Sequence, residues 1–137
     1  DLVIPGTPDD VFAVFNDYSG WKRWAGPPSV SLEREGENYP SGIGAIRRFA
    51  VIPPVREEIV AFEPPHTMSY TLLSGAPIKN HLGTVTFASH ANGCAVHWKA
   101  QYEATIPGTA PIMDIGVRWF FKRILGRLNR FISQERL

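Results

Sequence analysis

Two periodicities divide this chain. Over residues 111–133 apolar side chains recur at about 3.6-residue intervals, and Met113, Val117, Phe120, Phe121, Ile124, Leu128, Phe131 and Ile132 fall on one broad helical face. Pro111 suits the first turn of that helix, where its missing N–H costs nothing. Upstream the period is mostly two. Short alternating runs over residues 2–4, 30–35, 44–51, 55–62, 68–73, 81–89 and 94–104 are separated by Gly, Pro, Asn and Ser and predict seven strands. Between the first two lie two short helical segments. Thr7-Pro8-Asp9-Asp10 spells a helix start, with Thr as N-cap and acids at the positive end of the dipole. Residues 18–24 carry Trp21 and Trp24 on one side of a turn that Pro27-Pro28 closes, as a core plug or as a cavity wall. Asn92-Gly93 reads as the tight turn of the last hairpin, which would set Phe87 opposite Trp98, Val85 opposite Ala100 and Gly83 opposite Tyr102. The order predicts an α+β domain, a curved antiparallel sheet wrapped around the long C-terminal helix.

Strand parity selects the inward side chains. On the strand through Arg47, the apolar residues Ile43, Ala45, Phe49 and Val51 share its face, and Arg48 points out. Glu57 goes with Val55, Ile59 and Ala61, while Met68, Tyr70 and Leu72, and then Cys94, Val96, Trp98, Ala100 and Tyr102, complete the set. A charge on an inner face is costly unless paired. Arg47 and Glu57 are therefore either a structural ion pair or polar anchors in a cavity. His81 has inward parity too, as a hydrogen-bonded wall residue or as a general base.

Composition narrows the chemistry. The 137 residues make one domain, with a formal charge of +1 and a single cysteine. Cys94 excludes an intrachain disulfide and reads as a small core residue. HExxH, HxH, cysteine clusters and phosphate-binding glycine patterns are absent, so neither a metal nor a cofactor is expected. A charge near neutral, with no basic-aromatic strand platform, argues against nucleic acid. No apolar run reaches the length of a membrane span and no signal peptide is visible, and the expected setting is cytoplasmic, with Asp1 opening the chain as a trimmed terminus would. Arg118, Lys122, Arg123, Arg127 and Arg130 run along the last helix without an intervening acid. They fit a solvated back face. With the off-face Ile112, Ile115 and Trp119 they also allow docking to an anionic membrane or a partner, the less favoured of the two readings.

The apolar strand followed by TPDDVFAVFNDYSGWKRW, then GIGAIRRF, VREEIVAFEPPHTMSYTLLSG, NGCAVHWKAQYE and the closing helix, resembles the START-like (SRPBCC) superfamily, and within it the polyketide cyclase/dehydrase-type proteins. The resemblance spans nearly the whole chain. It implies the helix-grip fold: a seven-stranded sheet gripping the helix, with a deep apolar cavity between them. It also implies a small hydrophobic or amphipathic ligand, whether lipid, polyketide or aromatic compound. Family members include aromatase/cyclases, lipid carriers and hormone receptors, so binding without turnover and a metal-free cyclase or dehydratase activity both stay open. In the aromatase/cyclases an arginine on this strand lines the pocket and helps hold substrate keto groups, and Arg47 is the matching position. Expected cavity walls are Trp24, Tyr70, Trp98, Tyr102, Val117, Phe120 and Phe121, with Arg47, Glu57 and His81 as polar anchors.

Overall fold

A computed structural model describes residues 1–26 and 29–135, so Pro27-Pro28 lies outside the described residues. Seven strands, β1 (Leu2–Ile4), β2 (Val30–Arg34), β3 (Ile46–Phe49), β4 (Val55–Glu63), β5 (Thr67–Ser74), β6 (Ile78–His90) and β7 (Gly93–Ala104), form one antiparallel sheet in the order β1-β7-β6-β5-β4-β3-β2. Helix α1 (Pro8–Asn16) and a 3-10 turn (Tyr18–Arg23) lie between β1 and β2, and α2 (Ala110–Glu135) closes the chain. Thr7 caps α1 reciprocally: Asp10 N donates to Thr7 Oγ1, and Thr7 N donates to Asp10 Oδ2, each at 3.2 Å.

The core joins the concave face of the sheet to α1, the 3-10 turn and the second half of α2. Ile124, Leu125, Leu128 and Ile132 are buried in it, with Phe12, Phe15, Trp21, Phe87 and Val96. The first half of α2 is different. Phe120 and Phe121 are only half-buried, and Ile112, Ile115 and Trp119 are exposed. The helix therefore packs through its C-terminal turns and overhangs the sheet with its N-terminal ones.

Three expectations are corrected. The β6–β7 hairpin turns at Ala91-Asn92, with His90 opposite Gly93, so Phe87 faces Val96, Val85 faces Trp98 and Gly83 faces Ala100. The two-residue shift preserves parity, so the inward set survives. Gly93 is needed for a different reason: its φ is 143°, and a Cβ there would stand 2.2 Å from the Ile4 carbonyl oxygen, where β1 docks. The second correction is at β3, which is shorter than its alternating pattern. Ile43 and Val51, at 47% and 39% exposure, lie outside it. Gly44, at φ 87°, turns the backbone just before the strand, and Ala45 N donates to Gly42 O at 3.0 Å. Finally, Trp24 is buried in the core but does not border the cavity; Trp21 does.

Candidate binding cavity

Between the concave sheet face and the overhanging half of α2 lies a cavity of about 210 Å³. Each of the five strands β3 to β7 contributes inward residues, and Met113, Gly116, Val117, Phe120 and Phe121 roof it. Arg47, Glu57, Tyr70, His81, Trp98, Tyr102, Val117, Phe120 and Phe121 all meet there. Trp24 instead faces Arg127, Arg130 and Phe131. Trp21 borders the cavity, and its indole N–H donates to Phe15 O at 2.7 Å. Sequence reasoning also missed Gly116. A glycine inside an amphipathic helix was the available signal, and a Cβ added there meets nothing within 4 Å.

The polar end is built around Arg47. β3 and β4 pair with Arg47 opposite Glu57, and Arg47 Nε donates to Glu57 Oε1 at 2.6 Å. The guanidinium carbon stands 4.6 Å from the ring centres of both Tyr18 and Tyr70, so two aromatic faces sandwich the cation. Arg47 is 1% exposed, and its buried Nη1 has no well-formed hydrogen bond among the described residues. Burial opposes the Arg47 charge, but Glu57 and the two tyrosines more than compensate and hold its pKa above the ordinary value. Burial also pushes the Glu57 carboxyl up, against the pull of Arg47. The guanidinium keeps its proton, so the carboxyl is the group whose titration matters.

Tyr70 and His81 complete this end. Gly83 lies opposite Tyr70 across β5 and β6, and a Cβ there would fall 2.3 Å from Tyr70 Cζ, so the glycine leaves room for the ring. The Tyr70 oxygen accepts the Trp98 indole N–H at 2.8 Å and keeps its own proton, with its pKa pushed up by burial and by Glu57. β6 shifts register between Lys79 and Leu82, with Asn80 at φ 53° and its side-chain amide on Glu103. This bulge re-aims His81 toward the cavity. The ladder between β5 and β6 ends at Tyr70–Gly83, and the His81 side chain takes over from it: Leu72 N donates to His81 Nδ1 at 3.1 Å. With Nδ1 accepting, neutral His81 carries its proton on Nε2 and is a donor. Burial and the nearby Arg47 both hold its pKa below 6.5. His81 is thus held neutral, with Nδ1 occupied by the Leu72 amide.

The opposite walls are aromatic. Trp98 stacks on Phe121 with ring centres 4.0 Å apart and planes 14° apart, and Phe49 and Phe120 meet edge to face. Arg47, His81 and Tyr70, each able to donate a hydrogen bond, line one end of an apolar chamber. Such an arrangement holds and polarises an oxygen acceptor. Among the described residues no group of three His, Cys, Asp or Glu side chains could hold a metal ion, and no helix is long and apolar enough to cross a membrane.

Solved structures share this fold. A Thermobifida fusca protein determined by NMR is 21% identical, with a TM-score of 0.81 over 97% of this chain and 90% of that one. A START superfamily protein of Mycobacterium smegmatis is 9% identical, with a TM-score of 0.77 over 97% of this chain and 94% of that one. Norcoclaurine synthase of Thalictrum flavum, solved with dopamine and hydroxybenzaldehyde, is 13% identical, with a TM-score of 0.71 over 97% of this chain and 83% of that one. At these identities the likeness is one of fold. No curated protein matches in sequence. The sequence profile described as polyketide cyclase / dehydrase and lipid transport matches residues 2–131, nearly the whole length, and the chain belongs to that family.

Proposed function

We propose that this protein binds a small, mostly apolar ligand, with an aromatic body and a carbonyl or hydroxyl oxygen held at Arg47. Members of its family typically bind hydrophobic ligands. The observation that supports the finer reading is the buried guanidinium of Arg47, on a residue that lines an apolar cavity, with an Nη1 that has no well-formed hydrogen bond among the described residues. Such a donor costs free energy unless an acceptor meets it. Size favours a compact ligand. An apolar cavity of about 150 Å³ takes a benzene ring, so one of about 210 Å³ suits one or two rings better than a long acyl chain.

A cyclase or dehydratase would draw on the same donors to polarise a carbonyl. It would also need a group to accept a proton. Glu57 is engaged by Arg47, and His81 Nδ1 is engaged by Leu72. We therefore read binding in preference to turnover.

The test compares 2-naphthol with naphthalene, using quenching of indole fluorescence, to which the cavity residues Trp21 and Trp98 contribute. Replacing the pair together, as Arg47→Met with Glu57→Leu, leaves no stranded charge. Naphthol affinity should fall by about tenfold, equivalent to 1.4 kcal/mol, while naphthalene affinity holds. Equal losses for both compounds would remove Arg47 from the site.

A further inference from the structure

The outer side of α2 is unlike that of an ordinary surface helix. Ile112, Ile115, Trp119, Lys122 and Gly126 follow the 3–4 spacing of one helix face, and all five are exposed. The opposite side carries Ile124, Leu128 and Ile132 into the core. The first turns of the outer face are apolar. Ile112 is 72% exposed, Ile115 71% and Trp119 62%, and Ile106 stands exposed just ahead of the helix. The later turns are basic, with Lys122, Arg123 and Arg130. The guanidinium carbon of Arg123 lies 5.8 Å from the centre of a Trp119 ring, so the two halves of the face meet.

No acid shares this face. The acids of α2 are Asp114 and Glu135. Asp114 stands on the flank toward β7, where its carboxylate accepts the Tyr102 hydroxyl. Glu135 falls seven residues after Leu128, on the core side. A single exposed isoleucine needs no explanation, but three large apolar side chains in line mark a contact surface. The surface is a ridge, apolar and then basic. An anionic bilayer matches both parts: isoleucine and tryptophan enter the boundary between head groups and acyl chains, and lysine and arginine reach the phosphates. A second copy paired about a two-fold axis would set this positive face against itself. An acidic protein surface would leave the isoleucines uncovered.

We propose that this face docks the protein on an anionic phospholipid bilayer, with the N-terminal turns of α2 deeper than the C-terminal ones. Met113, Val117 and Phe120, on the underside of the same turns, roof the cavity, so docking sets that roof at the bilayer surface. Docking itself needs no ligand, and the proposal stands or falls apart from the cavity reading.

Vesicles of phosphatidylcholine, with and without phosphatidylglycerol, are the probes. At low salt the mixed vesicles should bind at least tenfold tighter, and their affinity should fall as ionic strength rises. Trp21, Trp24 and Trp98 are buried, so quenching by brominated acyl chains reads Trp119 and should vanish in Trp119→Leu. Ile112→Ser with Ile115→Ser, and separately Lys122→Gln with Arg130→Gln, should each weaken binding about tenfold or more. All four side chains are exposed, and an unchanged melting temperature shows that each variant is folded. Failure to bind the mixed vesicles overturns the proposal. So does binding that ignores the isoleucine pair, which would mean a purely electrostatic contact open to any polyanion. A monomer–dimer equilibrium abolished by Ile115→Ser, in protein that ignores vesicles, would assign the face to a second copy. Polyglutamate bound as tightly as the mixed vesicles would assign it to an acidic protein, and either result ends the bilayer reading.

Discussion

Arg47 keeps Nε on Glu57, with a tyrosine ring on each side of its guanidinium. Such a residue holds its place through the sum of its neighbours, and its removal leaves Glu57 buried without a countercharge. Arg47→Met should cost about 3 kcal/mol where Glu57 must stay ionised. The pH dependence follows from burial, which raises the folded carboxyl above 4.5. Between that value and the raised one, the native state binds more protons than the unfolded chain, so stability falls as pH rises through the window. Loss of Arg47 removes the opposing attraction and widens the window upward. Urea denaturation of Arg47→Met from about pH 4.5 to 8 should therefore show the damage growing with pH. Damage that is constant across that range would mean Glu57 is solvated and the pair is no part of a closed site.

Helix α2 does two jobs along its length. Leu128 is fully buried against the sheet, whereas Phe120 is half-buried and borders the cavity. Leu128→Ala should cost about 2–5 kcal/mol, the range for a core leucine. Phe120→Ala should cost about 1.5 kcal/mol or less despite removing a larger side chain, because cavity already lies on one side of it. Ligand affinity should respond in the reverse order. Paired unfolding and binding curves for the two variants check this, and a Phe120→Ala loss as large as that of Leu128→Ala would mean that the overhang is packed like the rest of the helix.

At the scale of the whole molecule, a ligand that fills the gap between sheet and α2 binds only the folded state. Its stabilisation follows mass action, about 2.7 kcal/mol at a concentration one hundred times Kd. The melting temperature should climb with 2-naphthol concentration and should do so far less in Gly116→Leu. A compound that quenches the indole fluorescence yet leaves the melting temperature flat binds folded and unfolded chains alike, which the cavity cannot do.

Much of this arrangement was legible in the sequence, because alternation along a strand is a local property. Arg47, Glu57, Tyr70 and Trp98 point inward by parity alone, and parity survives a two-residue error in hairpin register. The span of α2 and the capped start of α1 are equally local, written in a 3.6-residue period and in Thr7 with Asp10. Distant partners decided the rest. Gly93 serves the approach of Ile4 rather than the turn, and no residue near it announces that contact. Trp21 rather than Trp24 reaches the cavity, with its indole N–H on the Phe15 carbonyl. His81 became a donor when the amide of Leu72, on the neighbouring strand, took its Nδ1. Which half of α2 packs and which overhangs depends on the sheet beneath it, where β1 is too short to run along the whole of β7. Periodicity fixes which way a side chain points; what it meets there is set by segments the chain brings together only on folding.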